Sequence, residues 1–270
     1  MDKNDCDLKE LNSKNACNLR SALSKNFFDF QKEIGKNLKM QLHAVTLSQL
    51  GHAFYLETQS TAEHNADLFP YKFIADLNQF HEYDDIFSRS IKEKSYIDMY
   101  NSFEAFISKC FCCVYYFFPY FLVDSKDKRV TVHFDDIFNN TDIEICKTRI
   151  IEQKVKDIIQ SSTIRNAVEK LSTYGAKIPL LKSDLDTITL ISNNRHILIH
   201  NNGVVNNIYI QNLLKEQITP LYAIEEDISE KLSEVITPHS KHLEKIGKSI
   251  FESLSSEIKG IYYYHKSKLF

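Results

Sequence analysis

Seven apolar side chains recur at alternating steps of four and three residues from Tyr96 to Phe117: Tyr96, Tyr100, Phe103, Ile107, Cys110, Val114 and Phe117, with Pro119 close behind. That spacing keeps them on one face of an α-helix, and a proline, which has no amide hydrogen to offer, ends it. A helix this apolar must be surrounded, so it is expected at the centre of a bundle. Only six glycines and five prolines punctuate 270 residues, too few turn signals for many short strands. The fold class expected is therefore all-α. At 43% hydrophobic residues, the chain can bury a real core in one large domain or two small ones.

Other segments are placed around that helix. Residues 1 to about 25 are polar and read as a loosely docked or partly helical lead-in. An amphipathic pattern through Phe30, Ile34, Leu38, Leu42, Val45 and Leu50 predicts a helix from Phe27 to about Thr58, followed by a break over 57–70. Residues 71–80 and 83–92 read as a short helix and a connector, with Ser95 as a cap for the central helix. Val130 to Phe134 alternates and suggests a hairpin arm or an irregular loop. Two further helices are expected over 141–161 and 163–174. A helix over 184–200, capped by Ser183, ends at Asn201, Asn202 and Gly203 through a left-handed residue; an earlier break at Asn193-Asn194 is the alternative. A loop from Tyr209 to Pro220 and closing helices over 224–236 and 239–259 complete the chain, with the aromatic Tyr262-Tyr263-Tyr264 near its end.

Charge and cysteine usage narrow the function classes. The formal charge of −3 argues against coating nucleic acid by bulk attraction. Between Lys147 and Lys182, however, eight lysines and arginines face three acids, either a wall that attracts phosphate or a solvated helix face. The six cysteines lack the spacing of a secreted disulfide framework, and a reducing cytoplasm fits them best. Cys110 and Cys113 form C-x-x-C on an apolar helix without a second ligand pair, which favours packing over zinc or redox chemistry. A charged, polar opening with no apolar run after it argues against a signal peptide. The most apolar run, Cys110 to Val123, is too short to span a membrane.

The segment from Asn193 to Gly203 carries the chemistry. On a helix through Ile188, the residues Ile191, Arg195, Leu198 and Ile199 fall on one side, so Arg195 is expected where apolar side chains point. A guanidinium cannot shed its proton, and an unpaired buried charge is costly. A carboxylate must meet it, with Glu104 and Asp98 as candidates, or the face must open to a phosphate. His196 and His200 lie four apart and, on an unbroken helix, about 40° apart around its axis, the arrangement zinc peptidases use. Those enzymes place a glutamate after the first histidine, where this chain has Ile197. Arg195 beside the ion would also repel it. No metal or other cofactor is therefore assigned.

Arg195-His196-x-x-x-His200-Asn201-x-Gly203, with Val204, Val205, Tyr209 and a closing amphipathic helix, resembles the HEPN superfamily of helical ribonucleases. Val204, Val205, Tyr209 and the closing helix also look like the bacterial branch called ApeA-like or RiboL-PSP-like. The long helix bearing Glu104 is similar in position to the acidic helix that packs against the family's motif. The resemblance covers about residues 95–258. It implies an HEPN-like nuclease domain over 95–270 and a helical N-terminal extension over 1–94. It also implies metal-independent RNA cleavage by attack of a 2′-hydroxyl, leaving a 2′,3′-cyclic phosphate. In that chemistry His200 moves protons, Arg195 stabilises phosphorane charge, His196 and Asn201 orient substrate or the catalytic histidine, and Glu104 pins the arginine. One motif per chain implies a homodimer with a composite site, and the family implies a cytoplasmic, toxin-like effector with a regulatory partner or antitoxin. HEPN toxins silenced by nucleotide transfer carry a tyrosine two residues after the histidine; Asn202 stands there, which speaks against that control. The competing reading is a non-enzymatic HEPN-like module for dimerisation or for binding nucleotide or RNA.

Overall fold

A computed structural model describes residues 3–64, 81–122, 142–172, 174 and 178–256. Among them are seven α-helices: α1 (Lys3–His64), α2 (His81–Phe117), α3 (Ile143–Ser161), α4 (Ile164–Ser172), α5 (Lys182–His200), α6 (Asn207–Lys215) and α7 (Leu232–Ser256). Short 3₁₀ turns cover Pro119–Leu122 and Ile228–Lys231. The described residues form no strand, only one antiparallel bridge between Val204 and Asp227. The chain is all-α.

Several boundaries differ from expectation. The lead-in is helical from Lys3, and Leu19 and Leu23 are fully buried, because two leucines four apart give an otherwise polar stretch an apolar stripe. The same helix continues through 57–64, where a break was expected. Likewise, 83–92 belongs to α2 rather than to a connector, and Ser95 lies buried inside that helix instead of capping it. Ser183 is also inside its helix. The start of α5 is closed by Asp184, whose carboxylate accepts from the Leu181 amide at 3.0 Å, half of a capping box. Residues 207–215 form α6, nucleated by Asn206, whose side chain accepts from the Tyr209 amide at 3.0 Å. The closing segment is one helix through Pro238. A proline this near the N-terminus removes a single hydrogen bond from a long helix. The segments 71–80, 130–134 and 262–264 lie outside the described residues.

The chain divides into two compact units. The first draws on the described residues of Met1–Lys32, Asn101–Ser192 and Lys241–Phe270, and the second on those of Glu33–Tyr100 and Asn193–Ser240. In the first, aromatic rings make the core. Phe27 stacks on Phe251 at 5.1 Å, and Phe30 on Phe106 at 4.9 Å. Gly247 in α7 makes room for this, since a Cβ there would stand 2.6 Å from the Phe30 ring. Asp184 ties α5 to α7 through Lys245 at 3.3 Å, and His242 Nε2 lies 3.2 Å from the same carboxylate oxygen. In the second unit, Ile34, Met99, Ile197, Val205, Leu213, Ile228, Leu232 and Ile236 are buried, together with a set of polar groups.

Candidate functional site

The second unit holds the last two turns of α5, from Asn193 to His200. The helix is continuous across Asn193-Asn194, and the reason is chemical. Asn194 is 0% exposed, and its amide is fully engaged: the Tyr209 hydroxyl donates to Oδ1 at 2.8 Å, and Nδ2 donates to the Tyr96 hydroxyl at 3.1 Å. The Tyr96 oxygen lies 2.9 Å from His239 Nδ1. An asparagine amide nitrogen can only donate, so the Tyr96 hydroxyl accepts from Asn194 and keeps its own proton, which an Nδ1 lone pair on His239 can take. Four side chains from α6, α5, α2 and α7 thus form one hydrogen-bond chain. Burial, the largest influence, raises the Tyr96 hydroxyl well above its ordinary value, and the neighbouring Tyr222 and Tyr209 add to the rise while the Asn194 bond opposes it. Burial likewise raises Tyr209. Both hydroxyls therefore stay protonated donors.

This chain corrects the expected orientation of α5. The buried face runs through Ile188, Ile191, Asn194, Ile197 and Leu198, so Asn194 occupies its centre and Arg195 its edge. Ile199, expected inside, is 40% exposed. At the edge Arg195 is half-buried, and its guanidinium carbon stands 5.5 Å from the centroid of the Tyr100 ring, a cation–π arrangement. His196 and His200 are both exposed. Their ring centroids lie 4.6 Å apart with the planes tilted by 47°. Partial desolvation, then the proximity of His200, then that of Arg195, hold His196 below the ordinary histidine value, which favours its neutral form.

Past His200 the backbone turns sharply. Asn201 donates its side-chain amide to the Val204 carbonyl, and its backbone amide to Ile197 at 2.9 Å. Asn202 and Gly203 take φ of 50° and 80°, the left-handed termination expected from the sequence. A Cβ on Gly203 would collide with Ser229 Oγ and stand 2.9 Å from Asp227 Oδ1, so glycine is needed there for space as well as for conformation. Arg89 straps this turn down: it donates to the Asn202 carbonyl at 2.9 Å and pairs with Asp227 and Glu93, each at 2.7 Å.

Arg195, His196, His200 and Asn201 are thus gathered within one helix end and its following turn. Glu104 is half-buried on α2 and belongs to the first unit, its carbonyl accepting from Ser108 at 2.9 Å. Asp98 pairs with Lys94 at 3.0 Å. The basic stretch lies in the first unit and is partly neutralised locally. Lys147 sits 4.0 Å over the Tyr116 ring and 3.8 Å from Glu144, while Arg165 meets Asp186 at 3.3 Å and Glu169 at 3.5 Å. Cys110 is fully buried, and Cys113 accepts from Asn26 at 3.2 Å. Among the described residues no group of three or more His, Cys, Asp or Glu could hold a metal ion, and no helix is long and apolar enough to cross a membrane.

Sequence reasoning missed Arg89, and it missed that Asn194, Tyr96 and Tyr209 are joined in one buried hydrogen-bond chain. Asn194 was findable, since it stands three residues after Ile191 and three before Ile197 on the apolar stripe, where a polar side chain needs partners. Comparisons of the chain with protein-family models, with curated proteins and with solved structures find no match.

Proposed function

We propose that the protein is a metal-independent endoribonuclease of HEPN type, with Arg195 and His200 at its centre. One observation carries the reading. A half-buried arginine and two exposed imidazoles share the end of a helix whose inner side is bolted by the Asn194 hydrogen bonds, so the imidazoles face solvent from a fixed helix end with the guanidinium beside them. A neutral imidazole accepts the 2′-hydroxyl proton, and a guanidinium stabilises the charge gathering on phosphorus. His200 supplies that imidazole, while His196 beside it and Asn201 in the turn orient the substrate or the catalytic histidine. Two proton transfers are needed, and two copies of the motif across a homodimer supply both. Exposed Ile208, Leu214, Leu221 and Ile224 in the same unit offer apolar surface for a second copy. By analogy with the family, the protein acts in the cytoplasm as a toxin-like effector of bacterial antiphage or stress defence, on cellular RNA with tRNA among its substrates, under a regulatory partner.

The same apolar surface favours a second reading, a non-catalytic dimerisation or RNA-binding module. Incubation of purified protein with total RNA and tRNA in EDTA, with mapping of fragment ends, separates the two. The nuclease leaves 2′,3′-cyclic phosphates, and Arg195→Ala or His200→Ala slows it by about a hundredfold or more while the dimer persists. Absence of cleavage, with loss of the dimer in the same variants, establishes the module instead.

A further inference from the structure

The paired histidines have a property that RNA cleavage does not need. We infer that His196 and His200 form a two-nitrogen chelate for a borderline divalent transition-metal ion such as zinc, and that an ion seated there silences the site. The geometry is the main ground. An imidazole that binds zinc through nitrogen holds its ring centre about 3.2 Å from the ion, so two such rings at 90° have centroids about 4.5 Å apart, and at the tetrahedral angle about 5.2 Å. The observed separation is 4.6 Å, inside or at the edge of that interval before any ion is present. Both rings are exposed, so rotation about their Cβ–Cγ bonds can turn one nitrogen of each toward a shared ion without disturbing the core, and water completes the shell.

Chemistry and surroundings agree with this. A neutral imidazole offers its lone pair to an ion without displacing a proton. Arg195 lowers the affinity by repulsion, but it occupies neither ring nitrogen and is drawn toward the Tyr100 face. No third protein ligand is present among the described residues, which makes the site weak and reversible, unlike a structural zinc centre. Imidazole suits zinc, copper and nickel, whereas magnesium and calcium prefer oxygen ligands. The consequence for catalysis rests on the nuclease reading. A ring nitrogen bound to metal has no lone pair for a proton, so neither histidine can act as an acid or base.

The test titrates zinc alone into the full chain while recording histidine imidazole resonances, with RNA cleavage followed in parallel. The resonances of His196 and His200 should move together, ahead of those of the other histidines, and saturate at one ion per chain. Alanine at either position should raise the zinc concentration required by roughly tenfold or more. Cleavage should fall over the same zinc range and recover with EDTA. The chelate is overturned if the two signals move separately, if other histidines respond first, or if His196→Ala leaves the His200 response intact. Zinc bound at the pair with cleavage undiminished overturns the silencing. Should the metal-free protein cleave no RNA, the nuclease reading falls, and the resonances alone still decide whether the chelate exists.

Discussion

The two units are filled by different kinds of matter. In the first, rings meet rings: Phe27 on Phe251, Phe30 between Phe103 and Phe106, and Tyr115 against Tyr174. In the second, a hydrogen-bond chain from Tyr209 through Asn194 and Tyr96 to His239 runs through the interior. An aromatic core is held by area and volume, so it responds to how much is removed. A buried polar chain is held by completeness, so it responds to which atom is removed. The motif lies in the second unit, one residue beyond Asn194. Its position is thus set by chemistry that tolerates little substitution.

The sharpest way to break that contrast begins with Phe103, fully buried in the first unit. Phe103→Ala should cost about 3–5 kcal/mol in denaturant unfolding. Phe103→Leu, which keeps most of the volume, should cost about 1.5 kcal/mol or less. If the leucine variant proves as damaging as the alanine, volume is not what that core measures, and the contrast with the second unit collapses.

Asn194→Leu is the matching test in the second unit. The substitution nearly conserves volume, yet it removes the acceptor for Tyr209 and the donor for Tyr96, leaving two buried hydroxyls short of a partner. The expected cost is about 2–4 kcal/mol. A double-mutant cycle sharpens it. Tyr209→Phe should cost about 1–2 kcal/mol in the natural chain and close to nothing in the Asn194→Leu background, because an apolar pair has no unmet hydrogen bond. Additive costs in that cycle would show that the bond between Tyr209 and Asn194 carries no energy of its own.

The same difference explains what the sequence disclosed. The central helix and the end of α5 at Asn202 and Gly203 were legible, because apolar spacing and left-handed residues are local signals. Helix α1 was legible only in part: the run around Leu19 and Leu23 is mostly polar, and its burial depends on packing against partners distant in sequence. The orientation of α5 was misjudged for a related reason. Counting apolar residues put Arg195 on the buried face, whereas Asn194, polar and therefore discounted, holds its centre because Tyr96 and Tyr209 supply partners from 98 and 15 residues away. Of the site residues, the four from Arg195 to Asn201 could be read from one short motif. Arg89, which fastens the turn at Asn202 from 113 residues away, leaves no trace in that motif.

The smallest effect concerns His196, whose titration reports on the motif from within. Partial desolvation comes first among the influences that lower it, followed by His200 and then Arg195. Removing a neighbouring positive charge makes protonation easier, so His200→Ala should raise the His196 value, and Arg195→Gln should raise it by less. Neither should restore the ordinary 6.5, because the desolvation remains; an NMR titration of the imidazole measures both steps. The linkage sign follows. With its folded value below the unfolded one, the unfolded chain binds the proton more tightly, so stability declines as pH falls through about 6.5 and levels off below the folded value. His200→Ala should narrow that window. If His196 titrates unchanged in both variants, the three side chains are not electrically coupled, and the motif is a sequence pattern rather than a working unit.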